Sequence, residues 1–176
     1  MTFGRLWRMT EFDERDAALL AALQEDARRS NRELARLIGV SPSTCLERVR
    51  ALRARGVIRG FHAELDLESI GRPIQALVAV GLRPNNRAAC RRFFEFCDGL
   101  DGVISSFLVS GEHDVLVHVA AMGPSELLER ILEPISSVEG VVDVRTSLIF
   151  EHRRRHAVRP AQLVSRPGSS AGSGSR

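Results

Sequence analysis

The sequence predicts an α+β chain of two domains, and three observations carry that prediction. Residues 30–60, SNRELARLIGVSPSTCLERVRALRARGVIRG, hold two capped helical segments joined by a tight turn, with a strongly basic outer face. Residues 74–151 alternate strand-like and helix-like apolar runs in the order βαββαβ. Charge is divided along the chain, basic at both ends and acidic between them. These place a winged helix-turn-helix domain at 12–61, a linker at 62–73, a ferredoxin-like domain at 74–151 and a disordered tail at 157–176.

In the first domain, Asp13 is placed to cap an amphipathic helix running to Asp26, with Leu19, Leu20 and Leu23 on its buried side. Ser30, three residues before Glu33, makes a capping box, and Leu34, Leu37 and Ile38 give the next helix one apolar face. Gly39 supplies the left-handed position that stops it. Ser41 caps a further helix with Pro42 at its first position, where a missing N–H loses no hydrogen bond. Gly56 ends that helix, and Val57, Ile58 and Phe61 are read as a small β wing.

On a 3.6-residue wheel, Cys45, Leu46, Val49 and Leu52 share one side of this last helix. Ser43, Thr44, Glu47, Arg48, Arg50 and Arg55 lie opposite or at the borders. The polar side is the one left for DNA. Small hydroxyls near the helix start allow close approach to a major groove, and Arg48 is placed to reach a base edge or a phosphate. Arg50, Arg53, Arg55 and Arg59 suit phosphate contacts that fix position without reading sequence. Ser30, Asn31 and Ser41, at the two helix starts, complete the candidate DNA-contacting set. Arginines on one helix face are by themselves an ordinary solvated surface; the conjunction of two caps, a helix-breaking glycine and a one-sided basic face points to DNA.

Charge supports the division. Residues 1–63 hold 12 arginines against 8 acidic residues, residues 64–151 hold 7 against 14, and residues 152–176 hold 6 against none. A net charge of +3 therefore conceals a basic reader, an acidic body and a basic tail, and only the first and last suit a polyanion. With 176 residues and 44% hydrophobic content there is ample material for packed cores. No apolar run approaches the roughly 20 residues that span a membrane, and the first residues lack the apolar core of a signal peptide. Three cysteines without a spacing framework point to the reducing cytoplasm, and Cys90 and Cys97, with Phe93 and Phe94 between them, are expected in a core.

In the second domain, strands are expected at 74–82, 103–109, 114–120 and 141–150, with helices at 86–98 and from 124 to about 137. Pro134 predicts a kink or an early stop in the second helix. Two helices cover one face of a four-stranded sheet, yet Val115, Val117 and Val119 alternate with Leu116, His118 and Ala120, so one strand is apolar on both faces. The open face calls for a partner, most economically a second copy stacked as a two-fold dimer. Such a dimer would set two reading helices roughly 34 Å, or a multiple of it, apart on DNA.

SNRELARLIGVSPSTCLERVRALRARGVIRGF, followed by LVSGEHD between two strands of a ferredoxin-like domain, resembles the Lrp/AsnC family of bacterial feast/famine regulators over about residues 12–151. The resemblance implies dimers assembling into octamers or related rings, DNA bending or wrapping, and a small effector, usually an amino acid, bound between subunits of neighbouring dimers. It also implies that Ser43, Thr44 and Arg48 contact DNA and that Gly111, Glu112, His113 and Asp114 form an effector loop. Asp114 would take the α-ammonium of an amino acid, backbone N–H groups near Gly111 would meet its carboxylate, and Ser147 and Leu148 would line the same pocket. His113 departs from the family, whose members often carry tyrosine or phenylalanine there, and adds a titratable donor and acceptor.

Three alternatives stay open at this point. Glycine and aspartate in SGEHD also suit a plain hairpin turn. An architectural protein of the same fold would bind DNA without an effector. A metal site or hydrolase could draw on His113, Asp114 and His118, or on His152 and His156, but an Arg-Arg-Arg run between the last two repels a cation, and no nucleophile motif or phosphate-cradling glycine loop is present. The reading is therefore a regulator without enzymatic activity, resident cofactor or metal, acting on double-stranded DNA. Its basic tail, RPGSSAGSGSR at the end, is expected to add at most non-specific phosphate attraction.

Overall fold

The computed structural model describes residues 12–153, 157, 158, 160 and 161. These fall in two compact units, one drawn from Met1–His62 and Arg154–Arg176, the other from Ala63–Arg153.

The first unit is three helices: α1 at Glu14–Glu25, α2 at Asn31–Ile38 and α3 at Pro42–Ala54. Each starts where a side-chain oxygen meets a free backbone N–H. Asp13 accepts from Asp16, Ser30 from Glu33 within a full capping box, and Ser41 from Thr44. Gly39 at φ 66° and Gly56 at φ 72° occupy left-handed positions that close α2 and α3. Beyond each glycine the chain folds back onto the helix: Val40 N donates to Ala35 O and Val57 N to Leu52 O, at 3.0 and 2.9 Å. Leu19, Leu23, Leu34, Ile38, Cys45 and Leu52 form the core.

Three expectations are corrected here. Leu37 and Leu46, read as core, are 51% and 39% exposed, because the buried stripes of α2 and α3 are narrower than the apolar residues the wheel collects. The wing is not a strand. Val57 and Ile58 both donate to Leu52 O and pack on the core, so this stretch serves as the end of α3, and Phe61 is exposed. The tail expected from residue 157 is held at Val158, whose backbone exchanges two hydrogen bonds with the Gln24 amide at 2.8 and 3.1 Å. The rest of that stretch, apart from Ala157, Pro160 and Ala161, lies outside the described residues.

The second unit runs β1 Ile74–Leu82, α4 Arg87–Gly99, β2 Val103–Leu108, β3 Val115–Ala121, α5 Pro124–Glu126, a π-helical stretch Leu127–Leu132, α6 Glu133–Ser137 and β4 Val141–Ile149. The sheet is antiparallel in the order β2-β3-β1-β4, the ferredoxin-like arrangement. Ala76, Val78, Val80, Val115, Val117 and Val119 point to the helix side and meet Cys90, Phe93, Cys97, Ile131 and Ile135. Burial pushes the Cys97 thiol up to about 11, so it packs as an inert apolar group. Pro134 does not stop the helix, which runs on through α6 to Ser137. The turns before it widen, with Glu133 N bonding five residues back to Leu128 O, which absorbs the ring that would otherwise crowd the preceding turn.

On the other side of the sheet, Leu77 pairs with His118 and Ser147, and Leu116 with Ala79 and Phe107. Phe107 is half exposed there. His118 lies on this open side; its Nε2 is 3.1 Å from Gln75 Oε1, and its ring meets His152 edge-on at 5.6 Å. His156 lies outside the described residues.

Candidate functional site

The candidate DNA-contacting residues separate into two groups. Ser30, Asn31, Ser41 and Arg48 are engaged inside the domain. Ser30 and Glu33 hold each other, N–H to carboxylate at 2.8 Å and hydroxyl to carboxylate at 2.7 Å, and the Ser30 hydroxyl bond lowers the Glu33 pKa. Asn31 Nδ2 donates to Pro42 O at 2.7 Å, tying the start of α2 to the start of α3. Ser41 Oγ caps α3 and sits 2.9 and 2.8 Å from the hydroxyls of Ser43 and Thr44, so it sets where those two point.

Arg48 differs from its expected place. Its Nη1 lies 2.6 Å from Asp16 Oδ1 and 2.9 Å from Asp13 Oδ2, and its side chain is only one-fifth exposed. The guanidinium turns inward to α1 because two carboxylates wait there, a pairing that a wheel drawn for α3 alone cannot show. Burial works against its charge, but the bonds to Asp16 and Asp13 outweigh that and raise its pKa.

Ser43, Thr44, Glu47, Arg50, Arg53 and Arg59 are exposed. No salt bridge among the described residues involves Arg50, Arg53 or Arg59. Ala51 and Ala54 are exposed among them, so this side of α3 is low and polar, with cations at its margins. Its arginines can meet phosphates without first breaking an ion pair, while the Ser43 and Thr44 hydroxyls are held in place by Ser41.

The candidate effector loop lies between β2 and β3. Gly111 has φ 144°, a backbone shape that strains any residue with a Cβ. Asp114 is drawn into the fold: its carboxylate accepts from Leu82 N at 2.6 Å and from the Asn85 amide, and the Arg83 guanidinium is 3.7 Å away. With backbone bonds to Val80 O and from Val109 N, it locks the start of β3 to the end of β1. The ammonium-binding role expected of it meets a carboxylate already occupied by two donors.

Its neighbours carry the exposed charge. Glu112 Oε1 is 2.8 Å from Arg145 Nη1, Arg145 Nε is 3.2 Å from Asp143 Oδ2, and that oxygen is 3.8 Å from His113 Nδ1. Arg145 and Asp143 project from β4 on the open side, where register puts them beside Ala79 and Gly81. Sequence reasoning missed both; the available signal was a pair of alternating opposite charges on one side of a strand whose other side carries Val144. Ser147 shares their side, whereas Leu148 pairs with Ala76 and points to the helix side, so this chain does not bring Ser147 and Leu148 to one pocket.

Residues 12–53 match the AsnC-type helix-turn-helix domain, and residues 75–158 match the Lrp/AsnC ligand binding domain. The chain belongs to the Lrp/AsnC family. It is similar to the HTH-type transcriptional regulators AldR of Mycolicibacterium smegmatis and of Mycobacterium tuberculosis. The first is 37% identical over 84% of this chain and 86% of its own, the second 38% identical over 84% and 82%. Among solved structures it resembles a transcriptional regulator of Neisseria meningitidis in complex with L-Met. That structure is 29% identical, covers 82% of this chain and 94% of its own, and has a TM-score of 0.72. As an Lrp/AsnC member the chain carries a DNA-binding helix-turn-helix domain, and its relatives are transcriptional regulators, not enzymes. The described residues contain no helix long and apolar enough to cross a membrane.

Proposed function

We propose that this chain is a sequence-specific transcriptional regulator whose DNA binding or assembly responds to a small amino acid held beside the loop at 111–114. The observation that carries the reading is the Glu112–Arg145–Asp143 cluster, an exposed cation between two carboxylates. An α-amino acid carries the complementary pair. Its carboxylate suits the Arg145 fork and its ammonium suits Glu112 or Asp143, so the zwitterion exchanges one set of ion pairs for another. The Neisseria meningitidis structure with L-Met supports an amino acid as the class of effector. Ser43, Thr44 and Glu47 are the residues that read bases in this account, and Arg50, Arg53 and Arg59 hold phosphates.

The working form is a dimer, in the reducing cytoplasm, stacked through the open side of the sheet and assembling further to an octamer. Half-exposed Phe107 with Leu77 and Leu116 on that side supports it, since such a face is rarely left to water. Sedimentation equilibrium tests the assembly: dimers or multiples of dimers are expected, and a monomer at micromolar concentration would contradict it. Calorimetric titration with each common amino acid tests the effector, with one or a few expected to bind.

An architectural protein without an effector remains the rival, favoured by the structural use of Asp114. Absence of any amino-acid binding in the calorimetric titration, together with intact DNA binding, would select it.

A further inference from the structure

We propose that Arg48 is a positioning residue for DNA reading, one whose bonds to Asp16 and Asp13 set the angle at which α3 is presented to the groove. The proposal rests on the DNA-reading role of α3.

Arg48 lies three residues after Cys45 and four before Leu52, which are 0% and 1% exposed, so it belongs to the inward stripe of α3. Its partners are themselves largely covered, Asp16 at 13% and Asp13 at 24% side-chain exposure. Asp13 serves twice: the carboxylate that holds Arg48 also accepts from Asp16 N at 2.7 Å and so starts α1. One residue therefore fixes where α1 begins and where the middle of α3 rests.

The rest of the α3 seat is made of Cys45, Val49 and Leu52, and apolar contact has no preferred direction. Charge-assisted hydrogen bonds do. Arg48 ties the middle of α3 to α1, and Asn31 ties its first turn to α2, so the two bonds together limit both tilt and rotation. Ser43, Thr44 and Glu47 lie in the turn just before Arg48, where a small rotation of α3 moves them sideways against base edges. A guanidinium already matched by two carboxylates offers little to a phosphate, so its contribution is geometry.

The test uses the full chain, a duplex selected by the unmodified protein from a random library, and a scrambled duplex, each titrated over a range of salt. On charge alone, Asp16→Asn removes an anion near DNA and tightens binding to both duplexes. Positioning predicts the opposite sign for the selected duplex, with affinity falling about tenfold as one base-reading side chain is misaligned, while the scrambled duplex changes within about twofold. Arg48→Met gives the same loss, and the double variant is no worse than either single one. The salt slope stays constant, whereas a cation withdrawn from a phosphate would lower it by about 0.9.

Should Arg48→Met prove too unstable to assay, Arg48→Lys keeps the charge without the fork and is expected to lose part of the discrimination. Tighter or unchanged binding of the selected duplex by Asp16→Asn overturns the proposal, as does a slope lowered by about 0.9 in Arg48→Met. Failure of the unmodified protein to distinguish the two duplexes overturns the DNA-reading role itself, before any variant is made.

Discussion

Helix α3 and the loop at 111–114 are both short polar segments set on apolar frames, yet they manage charge in opposite ways. On α3 the outward cations Arg50 and Arg53 make no salt bridge among the described residues. Around the loop the charges are matched, Glu112 by Arg145, Arg145 by Asp143, and Asp114 by the Leu82 N–H and the Asn85 amide. Unmatched cations attract any polyanion and discriminate little. Matched charges release themselves only to a ligand that replaces both signs in the right geometry, so the loop is suited to selecting a zwitterion and the helix to holding DNA.

The largest expected effect comes from deleting the unmatched charge. Replacing Arg50 and Arg53 together with alanine should lower DNA affinity by roughly a hundredfold, and the salt slope by about 1.8 per subunit, or about 0.9 for each phosphate no longer neutralised. Fluorescence anisotropy at several salt concentrations checks this, and an unchanged slope would remove these residues from the interface.

Next is Asp114→Ala. It leaves the Leu82 N–H and the Asn85 amide without their acceptor and should cost about 1–3 kcal/mol in urea unfolding. Loss of amino-acid binding at unchanged stability would instead restore Asp114 as a ligand. Arg145→Gln is the converse case. Its ion pairs are exposed, so stability should change by no more than about 1 kcal/mol, while the amino-acid response weakens by roughly tenfold or more.

The smallest expected effect is on pH dependence. Burial, with a contribution from His152, lowers the pKa of His118 below its ordinary 6.5. Above that value both folded and unfolded chains hold the ring neutral. As pH falls below it the unfolded chain binds the proton first, so stability declines until pH passes the lower folded value. His118→Gln should flatten that decline in thermal melts between pH 7 and about 5.

The frame of the molecule was legible because its signals are local. Ser30 with Glu33, Ser41 with Pro42, and the glycines at 39 and 56 each act within one helical turn, and the alternating valines of β3 declare their own pleat. What escaped depends on distant partners. Arg48 is 32 and 35 residues from the carboxylates that turn it inward, so a wheel leaves it at the border of the polar face. Arg145 lies 33 residues from Glu112, and the fold alone brings them together. Asp114 reads as a ligand for the same reason, since its two donors, Leu82 at the end of β1 and Asn85 just beyond it, are 32 and 29 residues away. The wing is not legible because Val57 and Ile58 have the composition of a strand, while Gly56 bends them back onto the end of α3.

The most direct test of the account is binding to the DNA upstream of the chain's own gene, at one fixed salt concentration, with each common amino acid added in turn to the unmodified protein and to Arg145→Gln. The account predicts that one or a few amino acids shift the affinity or the size of the complex, and that Arg145→Gln binds the DNA equally well but loses the response. Tight DNA binding that no amino acid alters would contradict it.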